Sequence, residues 1–312
     1  MELIIVTYHY IEDPKKYKAG IHPIHEEKFR EHLEHLSKTY SFITEGDLVS
    51  GVRGEKKIPD KACLVTFDDG LKSQRERAVP ILIEKAVPAI FFVTTRPYTE
   101  HKASAVHKVH YLLSQIDAKI LFNESIKFLQ KTEYPTNLFN EKLARAGKWY
   151  IYDDLITAQF KYLANHGLPQ SVSDNMISEL FSLHYPEGEK HFCDVLYMSV
   201  GDIKEISQNS LFSIGLHTHT HLNIKESSKE TVYKDITANY KHLSENIGIS
   251  SIQGISYPYG MISSEEYEDK VVYVAHELGL SYGVTTVKGI NETLNHPFFL
   301  KRMNPNDFFK AS

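Results

Sequence analysis

Along most of the chain, short apolar runs alternate with stretches whose apolar residues recur every three or four positions. The run ELIIVTY (2–8) precedes HEEKFREHLEHLSKTY (25–40), and ACLVTF (62–67) precedes KSQRERAVPILIEKA (72–86). The first member of each pair has the length and β-branched content of a buried strand, and the second has the period of an amphipathic helix. Five further runs read as strands: AIFFVTT (89–95), LFSIGLH (211–217), IQGISYPY (252–259), SYGVTTV (281–287) and FFLKRM (298–303). Helical patterns follow some of them, at 228–248 and 264–279. Seven strands in this β/α rhythm predict an α/β fold whose parallel sheet is either closed into a barrel or wound openly.

The rhythm breaks between Arg96 and Asp194. That interval carries helix-like stretches at 104–116, 140–167 and 173–183 with no strand pattern between them. It is expected to be a helical insertion, 96–194, within a single domain spanning 1–312. Leaving from a strand end, it would rise above the face where barrels of this kind keep their active sites.

Composition narrows the function classes. The chain has 312 residues with a formal net charge of -5 and no dense Lys/Arg run, so the electrostatic footprint of a nucleic-acid binder is missing. Its two cysteines, Cys63 and Cys193, are too few for a disulfide framework. MELIIVTYHY lacks the basic start and cleavage site of a signal peptide, and no stretch has the length of a membrane span. A cytoplasmic location is the expectation. The 19 Tyr and 16 Phe are assigned mainly to the core.

Three stretches could carry chemistry. In VTFDDG, Asp68 and Asp69 follow a strand directly, so two adjacent carboxylates can be given different neighbours, one binding a cation and the other free as a base. In SIGLHTHTHLNI, the strand alternation of Phe212, Ile214 and Leu216 ends near His217. A chain turning there into a helical conformation would bring His217 and His221 together and swing His219 to the far side. Two imidazoles and one carboxylate, from Asp68 or Asp69, would make a three-ligand site with positions left open, the usual form of a catalytic zinc-like centre. In GISYPYG, Pro258 ends a strand pattern and Gly260 allows a tight turn, and a backbone N–H held rigidly beside the proline could face an oxyanion.

TFDDG (66–70), HTHTH (217–221) and YPYG (257–260), in this order, resemble the first three motifs of the polysaccharide deacetylase family. The resemblance covers about 1–95 and 196–304 and leaves the helical interval outside. It implies a distorted (β/α)7 barrel in which Asp69, His217 and His221 bind one divalent metal ion. Zinc is the first expectation, with cobalt, nickel, manganese or iron as substitutes. Asp68 would be the general base, Pro258 and Tyr259 would shape the groove, the Tyr259 N–H would hold the oxyanion, and Thr218 would lie beside the ligands.

Two positions depart from the family pattern. Many members carry an arginine in the third motif that pairs with the base; Ser256 stands there in this chain, and Arg302 is the candidate replacement. The family's last motif, an apolar strand ending in histidine, is missing after Gly260, whereas LIIVTYHY ends in His9. Some members resemble a circular permutation in which this strand opens the chain, so His9 is the candidate acid.

The implied activity is hydrolysis of an N-acyl group, most simply acetyl, on an amino sugar or glycan intermediate. The alternatives are a deformylase or cyclic-amide hydrolase of the same fold, a non-catalytic carbohydrate-binding protein, and an amidohydrolase-type site using the His-x-His pair. The last would make His219 a metal ligand. Neither a nucleic-acid partner nor a membrane span is expected, and the sequence does not specify an oligomeric state.

Overall fold

The structure, a computed structural model, describes residues 1–17, 20–135, 143–144, 146–260 and 265–305. Eight strands are present among them: β1 (Glu2–Tyr8), β2 (Ser41–Phe42), β3 (Lys61–Phe67), β4 (Ala89–Val93), β5 (Phe212–Leu216), β6 (Gly254–Ser256), β7 (Tyr282–Lys288) and β8 (Leu300–Arg302). They form one sheet in the order β1-β3-β4-β5-β6-β7-β8, every neighbouring pair parallel, with β2 added beside β3. Beyond β8 the chain returns to β1: the Thr7 N–H donates to the Met303 carbonyl at 3.1 Å, and the Met303 N–H donates to Ile5 at 2.8 Å. The result is a nearly closed barrel of seven parallel strands. All seven apolar runs contribute to it. The two-residue β2 has no detectable period in the sequence because it is too short to show one.

Parallel strands are buried on both faces, so their sequences are almost continuously apolar. Alternation nevertheless sorts them. Leu3, Ile5, Ala62, Leu64, Ile90, Phe92 and Tyr282 belong to one buried cluster. Ile4, Val6, Cys63, Val65, Phe91 and Ile214 belong to another, which includes Phe29 and Leu33 of the helix Glu26–Ser37 and Val232 and Ile236 of the helix Lys229–Lys241. The first cluster fills the barrel and the second seals the sheet against its helices. Glycines make room on both faces of the sheet: a Cβ on Gly254 would overlap the Tyr282 ring of the inner cluster, and one on Gly283 would overlap Tyr257 of the outer one.

The chain divides into two compact units. The barrel unit comprises 1–12, 24–100 and 194–312, and the second comprises 13–23 and 101–193. The second unit is helical, with no strand among its described residues; its helices include Ala105–Gln115, Ala118–Lys131, Leu155–Tyr162 and Gln170–His184. Leu112, Leu121, Phe160, Leu163, Met176 and Ile177 form its own core. Within the stretch 140–167, residues 140–142 and 145 lie outside the described residues, as does Ser264 at the start of the helical pattern 264–279.

Candidate metal centre and hydrolytic site

The inward alternation that is apolar low in the barrel becomes polar at the carboxyl ends of the strands. Leu3 and Ile5 are followed at the same period by Thr7 and His9, Leu64 by Thr66 and Asp68, Gly215 by His217, Gly254 by Ser256, and Leu300 by Arg302. Period two carries each of these side chains to the same end of the same lumen.

Asp69, His217 and His221 meet there. Their ligand atoms all lie within 4.8 Å of one another. Nε2 of His217 is 3.2 Å from Asp69 Oδ1, and Nε2 of His221 is 3.3 Å from the same oxygen. These separations are close to the edge, about 3.3 Å, of a tetrahedron whose bonds are about 2.0 Å long. Nδ1 of His217 lies 2.9 Å from the Ser256 carbonyl oxygen, which can only accept, so that nitrogen carries the proton. In the neutral ring Nε2 then offers a lone pair to a carboxylate that also offers lone pairs, an arrangement that calls for a shared cation. Burial alone would lower the His217 pKa, but the carboxylates of Asp68 and Asp69 outweigh it and raise the value above the ordinary one, which marks the pocket as favouring positive charge. The donor set therefore fits a divalent ion.

The two histidines are not brought together by a helical turn. Residues 217–221 form a bent loop in which Thr218 (φ 59°) and His221 (φ 58°) are left-handed. Asp69 (φ 78°) and Tyr259 (φ 61°) share that conformation, so four of the seven non-glycine residues with positive φ among those described belong to this site. Each such residue costs on the order of 1–3 kcal/mol and persists only where its surroundings over-determine it. The sequence pattern did not disclose this strain, because no glycine or asparagine marks Thr218 or His221.

His219 faces elsewhere. Its Nδ1 is 2.8 Å from Thr95 Oγ1, its Nε2 is 2.9 Å from Glu100, and its ring stacks on His242.

Asp68 sits beside the ligand cluster, 2% exposed, and Arg302 grips it with both guanidinium nitrogens, at 2.8 Å to Oδ1 and 2.7 Å to Oδ2. Arg302 also donates to Thr7 Oγ1 and the Thr285 carbonyl. Ser256, at the position where an arginine was expected, donates to Asp68 Oδ2 at 3.1 Å. Burial pushes the Asp68 pKa up, but the charge of Arg302, then His217 and the Arg302 hydrogen bonds, overcome it and hold the value at about 2. His9 Nε2 lies 4.0 Å from Asp68 Oδ2, and its side chain is 44% exposed, so it reaches solvent where the aspartates do not. The Tyr259 ring packs edge-on to His221 with centroids 5.1 Å apart. Pro258 is buried beside it, and Thr218 is fully buried, with its hydroxyl accepting from the Leu222 N–H.

The sequence did not single out several residues that shape the site. Gln74, fully buried, donates to the carbonyls of both His9 (3.0 Å) and Asp68 (2.6 Å) and so ties two strand ends together. Asp235 and Asn239 face the histidine loop. The available signal was that both interrupt the apolar stripe Val232, Ile236, Leu243 at positions a helix buries.

The chain is similar to known proteins in sequence and in fold. Residues 55–116 and 186–283, about half the chain, match the family model described as polysaccharide deacetylase. A poly-β-1,6-N-acetyl-D-glucosamine N-deacetylase of Staphylococcus aureus is 23% identical over 204 residues, covering 62% of this chain and 67% of that protein. Among solved structures, the deacetylase PplD of Streptococcus pyogenes, determined with acetate, superposes with a TM-score of 0.59 at 16% identity, covering 99% of this chain and 96% of that one. IcaB of Ammonifex degensii superposes with a TM-score of 0.58 at 17% identity, covering 97% and 91%. At these identities the structural matches speak for the fold.

Proposed function

The chain belongs to the polysaccharide deacetylase family, and from that premise we propose that it is a metal-dependent hydrolase removing N-acetyl groups from an amino-sugar glycan. The observation that carries this reading is the convergence of Asp69, His217 and His221 beside a second, buried carboxylate that has its own cationic partner. The name of the Staphylococcus aureus relative suggests N-acetylglucosamine units as the substrate class.

Asp69, His217 and His221 would hold the ion, with zinc the first choice for two imidazoles and a carboxylate. When bound, such an ion supplies Lewis acidity that can bring the pKa of the attacking water from about 16 to about 7. Asp68 accepts the proton as that water attacks the acyl carbon. With its pKa held near 2, Asp68 is always ionised at neutral pH, and a base this weak takes a proton only from an acidified water. The two adjacent aspartates thus divide the work, one as ligand and one as base.

Attack moves charge onto the carbonyl oxygen, where the Tyr259 N–H, in the turn after Pro258, would stabilise it. An amide nitrogen leaves only once protonated. His9, partly exposed and close to Asp68, donates that proton, an effect typically worth about 10² to 10⁴ in rate. Thr218 turns the loop between the two ligating histidines.

The test is to incubate the zinc-loaded protein with β-1,6-linked N-acetylglucosamine oligomers and N-formyl analogues and to measure acetate and formate. Acetate release that is lost in Asp68→Asn supports the proposal. Formate alone would make the protein a deformylase, and binding without release under zinc, cobalt or nickel would overturn the hydrolase reading.

A further inference from the structure

We infer that Asp235 and Asn239, one turn apart on the helix Lys229–Lys241, are positioning residues that hold the histidine loop in the conformation able to bind metal; this rests on the metal-site reading above. Neither touches a ligating atom. Both act on the backbone of the loop.

Asn239 Oδ1 accepts the His217 N–H at 2.9 Å. Asp235 Oδ1 accepts the N–H groups of His219 (2.6 Å) and Thr220 (3.3 Å), and its Oδ2 accepts the Thr220 hydroxyl at 2.6 Å. Three peptide N–H groups on either side of the left-handed Thr218 are thus aimed at two side chains of one helix. A loop free of this helix has no local reason to keep Thr218 at positive φ, because a β-branched residue is an outlier there. Relaxing Thr218 alone would rotate His217 and His221 away from each other.

The anchors are themselves fixed. Asn239, fully buried, donates from Nδ2 to the Val93 carbonyl (3.0 Å) and Thr95 Oγ1 (3.2 Å), the end of β4. The Thr94 hydroxyl reaches the carbonyls of Thr218 (3.0 Å) and His219 (2.9 Å) from the same strand end. The loop is therefore held on its N–H side by the helix and on its carbonyl side by β4. Ser228 caps the helix, its hydroxyl accepting the Thr231 N–H, and Val232 and Ile236 bury the adjoining face, so the anchors sit on a rigid element. A buried carboxylate is costly unless it is fully hydrogen-bonded, and the partners that satisfy Asp235 all lie in the histidine loop.

The experiment is titration of the metal-free full chain with Zn²⁺ in competition with a chelator, and with Co²⁺ followed by its visible absorption. The wild type is expected to bind one ion per chain and to give a defined Co²⁺ absorption spectrum. Asp235→Ala and Asn239→Ala are expected to weaken binding about 10- to 100-fold, the usual effect of losing an outer support of a ligand, and to distort that spectrum. Asp235→Asn keeps the acceptor for the His219 N–H and is expected to stay within about threefold of wild type. Folded alanine variants that bind Zn²⁺ as tightly as wild type, even if their melting temperature falls, would overturn the inference while leaving the metal site intact. A wild type that binds no ion would overturn both. Should the alanine variants fail to fold, Thr220→Val removes one hold on Asp235 from a less buried position; a severalfold weaker Kd supports the inference, and an unchanged one refutes it.

Discussion

The Arg302 guanidinium meets the Asp68 carboxylate with two parallel hydrogen bonds, 2.8 and 2.7 Å long, across a sequence separation of 234 residues. Both side chains are about 2% exposed. A bidentate pair fixes the orientation of the carboxylate as well as its charge. Because the barrel closes β8 onto β1, an arginine from the last strand reaches a base that follows the third.

Removing one partner of a buried ion pair leaves the other uncompensated. Arg302→Met is accordingly expected to cost about 3–5 kcal/mol in urea unfolding and to depress acetate release strongly. Arg302→Lys keeps the charge without the fork and should fall between wild type and Met.

Asp68→Asn leaves the three ligands Asp69, His217 and His221 in place and removes the proton acceptor together with the counter-charge of Arg302. We expect turnover to fall by about 10² to 10⁴ while metal content, measured by elemental analysis, stays at the wild-type level.

Alanine at Asp69, His217 or His221 is expected to abolish metal retention. His219→Ala should retain the ion, because the His219 ring is engaged with Thr95 and Glu100, and alanine preserves the backbone N–H and carbonyl by which His219 meets Asp235 and Thr94. Loss of the ion in His219→Ala would transfer the site to a His-x-His arrangement.

A buried acid far from this chemistry predicts how stability varies with pH. Burial raises the Glu45 pKa from 4.5 to about 7, against hydrogen bonds from Tyr282 (2.6 Å) and Ser213 that lower it. Above pH 4.5 the unfolded chain releases this proton while the native state keeps it until about pH 7. The contribution is thus fully present below pH 4.5 and is lost as pH rises to about 7, about 3 kcal/mol at full extent. Glu45→Gln should flatten this slope, measured by chemical denaturation at several pH values.

Much of the fold could be seen in the residue order. The alternation Leu3, Ile5, Thr7, His9 announces both a buried strand and the polar end of its inward face, and the seven apolar runs supply the seven strands of the barrel path. Asp68, Asp69 and the three histidines were likewise visible, since each group is compact in sequence and its chemistry is that of its residue types.

Strand identity, the direction each side chain leaves its strand and the candidate ligands were determined by the amino-acid order alone, because periods of 2.0 and 3.6 are local properties of the backbone. Folding alone decided that Arg302 reaches Asp68, that Gln74 ties His9 to Asp68, and that Asp235 and Asn239 grip the loop around a left-handed Thr218. Such pairings depend on which strands become neighbours and where the barrel closes. That is set by burial summed over the whole molecule, and no short stretch of sequence records it.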